Sequence, residues 1–448
     1  MMRLIVRDLF AKWRIWLGTF FVAAMAAAAG SVAASVLETG ASLPRFQALG
    51  LFAVGTSVVL FAVVAGVVVL SSTIDLTVTL QRRQYALWQL VGVRPFLVTL
   101  VVRIQLALVA VFGGAAGCLA AGPFAPAFLR FGLADSSGLE DVRGRFSFGA
   151  AVWVVASVAL VVIVSGLRSS RRAGRVMPVE ALRQPKTLQA RMTVRRWITA
   201  GALVALAAGL IGGLTSADPG GGTQLLIIGP LIAAATIAFA PILFPRTLSW
   251  WTRIIPAGVS TSWYLARRAA LFELSRSSSA ISSLIVTIAL PASIYTGLDT
   301  FSRAVTGVQP SAGSGLSVRT LLLLLGGPLL LSASGAASTV FMSGRARDRE
   351  AALLRASGGT SLVVVMSALC QSVIYVGTAS LLAFGVCLIT GIAEAIALGI
   401  AFHRSGLSLG WIPLLTVAGG CMLLLAIATL IPAVTSSRQG VVQQLAEE

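Results

Sequence analysis

The side chains best suited to chemistry are few in this sequence. Cys118, Cys370, Cys387 and Cys421 are its four cysteines and His403 its single histidine. No pair of the cysteines has metal-ligand spacing. Each lies within an apolar run, where a small thiol ordinarily packs as a hydrophobe. One histidine cannot furnish a His/Cys metal centre, and no Cys–His nucleophile is apparent. The expectation is a chain with no metal site and no catalytic residue, hence no enzyme of its own.

Nucleotide chemistry meets the same obstacle. A phosphate loop needs glycines that bring backbone N–H groups to the phosphates, followed by Lys-Ser or Lys-Thr. Lys186-Thr187 is the only such dipeptide, and the five residues before it, Ala181 to Pro185, contain no glycine. Gly212-Gly213 and Gly220 to Gly222 fall at turns between apolar runs, where close packing is the simpler account. If ATP drives this protein, another polypeptide must bind the nucleotide and its Mg.

Ionisable groups beside apolar runs are the next candidates. Asp75 closes one run and Arg103 opens the next. They either pair or extend their heads to the lipid interface, where charge costs little, and the second is the plainer reading. Glu394 and His403 are expected at an outer edge, as apt to be solvated as to touch a substrate. No acid is expected mid-span, which weakens a proton- or sodium-coupled secondary transporter.

One charged pattern occurs twice. Arg82, Arg83, Gln84, Leu87, Leu90 and Gly92 follow the second apolar run, and Arg349, Glu350, Leu353, Arg355 and Gly358 follow the eighth. An offset of 266 residues lays Gly92 on Gly358, Arg83 on Arg349, Gln84 on Glu350, Leu87 on Leu353 and Gln105 on Gln371. The spacing predicts a short helix in each copy. Leu87, Leu90 and Val91 share one face while Arg82, Arg83 and Gln89 are polar. Gly92 with Pro95, and Gly358 with Gly359, end the two helices. A basic connecting loop would account for the arginines but not for the repeated Leu and Gly positions.

These segments must be held by long apolar elements. Of the 448 residues 57% are hydrophobic and 11% charged, and mean hydropathy is +0.92. A soluble domain carries about a quarter charged residues, so this chain is expected to face lipid. Ten stretches of at least 21 residues lack Asp, Glu, Lys and Arg: 15–37, 46–74, 104–129, 146–167, 197–217, 219–245, 277–298, 320–344, 356–393 and 405–437. Each is long enough for a membrane-spanning helix of about 20 residues. The net charge of +19 is spread in clusters between these runs and forms no continuous basic face, which argues against nucleic acid. With both termini cytoplasmic, all but Arg45, Arg130, Arg143, Arg145, Arg303, Arg319 and Arg404 of the 34 basic residues fall inside, as positive-inside topology requires. The first run is 23 residues, longer than a signal-peptide core. It is expected to be a retained span, preceded by an interfacial segment with Leu4, Ile5, Leu9 and Phe10 on its membrane face.

Applied to spans one to four, the same offset lands near spans seven to ten. The predicted fold is an all-α integral membrane protein of ten transmembrane helices, built as two parallel four-helix repeats plus a two-helix connector. Residues 1–185 form the first repeat, 186–256 the connector and 257–448 the second repeat.

The stretch from Arg349 to Gly358, REAALLRASG, resembles the hallmark helix of the FtsX-like permease family, and RQYALWQLVG from Arg83 to Gly92 looks like a diverged copy. Arg171 and Arg172, followed by Pro178, Glu180 and Arg183, are similar to that family's motif after the fourth span. Leu265 to Ala269 resembles its amphipathic entry helix. The resemblance spans essentially the whole chain. It implies the permease subunit of an ABC transporter in a bacterial cytoplasmic membrane. The implied partner is a separate cytoplasmic ATPase, a homodimer in the family's pattern, that binds ATP and Mg. Well-known members carry a large extracytoplasmic domain, and no segment here is long enough to supply one. Gln84 also replaces the acid of the first copy, and the motif near Gln439 is degenerate, so unequal docking by the two halves is expected. The substrate class expected is an amphipathic peptide, lipid or hydrophobic drug. The alternative within the family is a non-transporting transmembrane regulator of envelope processes.

Overall fold

The computed structural model describes residues 13–134, 144–174, 192–215, 222–256, 260–272, 274–306, 318–342, 358–402 and 406–438. Among these residues all regular structure is helical. Nine described helices are long and apolar enough to cross a membrane, and a bent pair makes ten if it counts as one span. The protein is a multi-pass, all-α membrane protein. In chain order its helices are α1 (Trp13–Ala41), α2 (Arg45–Leu80), α3 (Arg82–Leu90), α4 (Pro95–Ala121), α5 (Ala125–Leu133), α6 (Phe148–Gly174) and α7 (Val194–Leu214). They continue as α8 (Gly222–Ala238), α9 (Ala240–Trp251), α10 (Thr261–Phe272), α11 (Leu274–Thr306), α12 (Val318–Met342), α13 (Ser361–Phe402) and α14 (Trp411–Arg438). The interfacial segment expected around Leu4 to Phe10 lies outside the described residues.

Each of the ten charge-free stretches contributes helix, but the helices outrun the stretches. α2 continues through Asp75, α4 begins before Arg103, and α13 runs on through Glu394. A helix satisfies its own backbone and so can continue past an ionisable residue; the heads of Asp75 and Arg103 find partners on another helix, and that of Glu394 does not. The sixth stretch does not make one straight helix. α8 and α9 meet at Phe239 at an angle of 83°. Pro241, in the first turn of α9, has no N–H to continue the α8 ladder, and its ring is suited to a helix start.

Two compact units result. The first comprises Met1–Lys186 with Leu316–Met342. In it α1 packs against α2, α4, α5, α6 and α12, and α12 also lies on α2 and α5. The α1–α4 crossing is close because Gly113 and Gly117 face α1. A Cβ on Gly117 would stand 2.1 Å from the carbonyl oxygen of Ala24, and one on Gly113 2.9 Å from that of Phe20. Small residues four apart let two backbones approach in this way. Thr19 and Thr77 hydrogen-bond across α1 and α2 at 2.9 Å. Val36, Leu51, Leu129, Leu133 and Leu323 close an apolar cluster among α1, α2, α5 and α12.

The second unit comprises Thr187–Gly315 with Ser343–Glu448. Its centre is α11, packed against α8, α13 and α14. α13 also meets α7, α9 and α10. Trp251 of α9 donates its Nε1–H to Thr378 Oγ1 at 2.9 Å and lies edge-on to Trp263 of α10. Ser372 and Thr429 join α13 to α14 at 3.2 Å. α12, although it follows α11 in the chain, belongs to the first unit.

Candidate functional site

α3 is short because both of its ends are imposed. Gln81 interrupts the helix that precedes it, with φ −97° and ψ 3°. At the other end Val93 N–H donates to Trp88 O and Gly92 N–H to Gln89 O, both at 3.0 Å. This is the paired closure that requires a left-handed residue. Gly92 supplies it, with φ +96°. Arg94 is then extended ahead of Pro95, the first residue of α4.

One face of α3 is fastened to its unit. Tyr85 and Ala86 are buried. The Tyr85 hydroxyl donates to Gln81 Oε1 at 2.5 Å. Gln89 Nε2 donates to the carbonyl of Gly174, at the end of α6, at 3.2 Å. Tyr85 also meets Trp88 edge-on at 5.8 Å. The opposite face is apolar and open: Leu87 is 47% exposed, Leu90 54% and Val91 86%. These are the three residues the spacing put on one face. Gln89, expected to be merely polar, points inward and ties the helix down. Arg82 and Gln84 are half-buried. The side chain of Arg83 lies outside the described residues.

A polar cluster lies beside α3. Asp75 accepts a hydrogen bond from the Ser169 hydroxyl and pairs with Arg172 at 3.5 Å. Arg103 Nε donates to Ser170 Oγ at 3.3 Å. Asp75 and Arg103 thus each dock on α6, through adjacent serines that are both buried. Of the two arginines expected after the fourth span, Arg172 joins this cluster and Arg171 is exposed. Pro178, Glu180 and Arg183 lie outside the described residues, as do Arg349, Glu350, Leu353, Arg355 and His403. Gly358 is described. It has φ +95°, and it and Gly92 are the positive-φ glycines among the described residues. Gln105 and Gln371, the other superposed pair, are both buried.

The second unit holds a group that sequence reasoning misplaced. Glu394, expected at an outer edge with solvent as one option, is fully buried. Neither carboxyl oxygen has a hydrogen-bond partner among the described residues. The signal was present: Glu394 is the only charged residue between Arg355 and Arg404. A helix reading carried through it would have put it inside an apolar element. On α11, Asp299 pairs with Arg303 at 3.0 Å and accepts from the Ser408 hydroxyl. Among the described residues no three His, Cys, Asp or Glu side chains cluster as a metal would require.

No family model matches this sequence, and no curated protein matches it.

Proposed function

We propose that this chain is the permease subunit of an ABC transporter of the FtsX-like kind, energised by a separate cytoplasmic ATPase. In this reading its ten spans are two parallel four-helix repeats plus a two-helix connector, with both termini cytoplasmic in a bacterial inner or plasma membrane. α3 and the segment from Arg349 to Gly358 dock on a dimeric ATPase and pass its closure to the helices above. ATP and Mg belong to that partner. The cargo is an amphipathic or hydrophobic molecule drawn from the lipid.

The observation that carries this reading is α3 itself. It is a short helix clamped through Tyr85, Ala86 and Gln89, with Leu87, Leu90 and Val91 open to a partner. A solvated loop has no reason to fix one face and present three apolar residues on the other. The duplication has its own support. Gly92 and Gly358, 266 residues apart, share the same left-handed backbone, and α4 and α13 begin at Pro95 and Ser361, the same distance apart. First, third and fourth spans touch pairwise in both units: α1, α4 and α6 in one, and α11, α13 and α14 in the other.

The test is purification of the full chain from its native membrane in mild detergent, with partners identified by mass spectrometry. An ATPase with a phosphate loop is the expected companion. It should be lost on combining Leu87→Asp with Leu90→Asp, and on combining Glu350→Ala with Arg355→Ala, while the thermal midpoint of the permease is kept. A chain that purifies without any nucleotide-hydrolysing protein, or that holds one undiminished through both double substitutions, refutes the reading.

A further inference from the structure

The carboxyl group of Glu394 has no part in coupling to an ATPase, yet its setting is specific. It faces Gly297 of α11, where a Cβ would stand 2.9 Å and 3.1 Å from the two carboxyl oxygens. One turn further along α13, Ala397 and Leu398 pack with Ala304 of α11, Leu225 and Ile228 of α8 and Leu214 of α7. That apolar cluster is flanked by Phe301 and Phe402, and Glu394 itself is fully buried.

Among the described residues no charged group pairs with it. On α11 Arg303 is paired with Asp299 through its terminal guanidinium nitrogen; its Nε has no partner but makes no hydrogen bond to the carboxyl, and neither does the Tyr295 hydroxyl. On α13 itself the nearest titratable side chain is the buried thiol of Cys387. α8 carries Gln224 and no charge. The arginines of α7 lie in its first turn, and that of α14 is its last residue. α9 meets α13 at Gly377 and Thr378, some sixteen residues before Glu394. Arg246 of α9 and Arg267 and Arg268 of the adjoining α10 belong to that end.

A carboxylate in this position would be desolvated with no counter-charge, and the neutral acid avoids that penalty. A metal ion or an amine needs room beside the oxygens, and on the Gly297 side there is none. A proton needs no volume. We infer that Glu394 is a proton-binding site: the acid sits protonated against Gly297 between α11 and α13 and gives up its proton only when those helices separate. On release the O–H bond breaks, the electron pair stays on the carboxylate, and the proton passes to water admitted by the separation. The inference does not depend on an ATPase.

The experiment compares the full-length protein and Glu394→Gln in lipid nanodiscs by infrared difference spectroscopy. At neutral pH the wild type should show a protonated-carboxyl C=O band, shifted in D2O and lost in Glu394→Gln. The variant should keep the wild-type thermal midpoint, because the amide is neutral and of similar shape. At alkaline pH the band should bleach, and hydrogen exchange in peptides covering residues 290–300 and 390–400 should rise above that of Glu394→Gln at the same pH. A carboxylate band at neutral pH overturns the inference. So does a Glu394→Gln variant that cannot fold, since a neutral isostere should serve. Bleaching without the rise in exchange overturns the link to helix separation.

Discussion

Gly117→Ala tests the packing of the first unit by adding one methyl group. In an open helix the change is favourable by about 1 kcal/mol, because alanine has the higher helix propensity. Here the new Cβ would stand 2.1 Å from the Ala24 carbonyl oxygen and 2.9 Å from both its carbon and the Ala27 Cβ. The obstruction is backbone, which cannot rotate aside, so α1 and α4 must part by about 1 Å to restore ordinary contact. Overpacking of this kind costs about 1–3 kcal/mol, and more where backbone must move. The upper part of that range is expected, net of propensity, because the displacement also loads the Thr19–Thr77 hydrogen bond. At about 2–4 °C per kcal/mol for a unit of roughly 150–250 residues, the midpoint should fall by roughly 5–10 °C. The control is Gly209→Ala on α7, where nothing lies within 4 Å of the added carbon, so the same substitution should hold or raise the midpoint. The assay is thermal unfolding of the full chain in detergent, followed by tryptophan fluorescence. Equal midpoints for the two variants would refute the reasoning, because the sign is claimed to depend on space alone.

Gly92→Ala meets no atom within 4 Å but must hold a backbone of φ +96°. It should cost about 1–2 kcal/mol through strain alone, seen as faster hydrogen exchange at positions 92 and 93. Tyr85→Phe removes the donor to Gln81 and leaves a buried acceptor without it, at about 1–3 kcal/mol. Protease cleavage within α3 should accelerate, with the rest of the unit unchanged. Asp75→Asn keeps an acceptor for Ser169 and loses an ion pair that is half exposed on both sides. Such pairs contribute about 0–1 kcal/mol, so its midpoint should lie within about 4 °C of wild type.

The apolar elements were legible because lipid imposes length and composition on every span, and each of the ten charge-free runs contributes helix. The α3 face was legible too, since helical periodicity alone puts Leu87, Leu90 and Val91 together. Partner choice was not. No local spacing around Asp75 or Arg103 points to α6, whose adjacent Ser169 and Ser170 reach them only through packing. The bend at Phe239 was also hidden, because Pro230, Pro241 and Pro245 are all compatible with an apolar run and only Pro241 falls at the break. The placement of α12 in the first unit could not be read from the repeated motif, because a repeat in sequence does not say which helices touch. Glu394 was missed because counting stopped at its charge, whereas the helix did not.

The length of α13 has a mechanical consequence. Its 42 residues span about 63 Å at 1.5 Å per residue, roughly twice the thickness of a bilayer's hydrocarbon core. To fit wholly within that layer it would have to lean by about 60°, beyond the roughly 0–40° found for membrane helices. Part of it therefore stands clear of the lipid as a stiff rod. Tilting such a rod by only about 5° about one end sweeps the other through roughly 5 Å, about one helical turn, so a small rotation on one side of the membrane becomes a large displacement on the other.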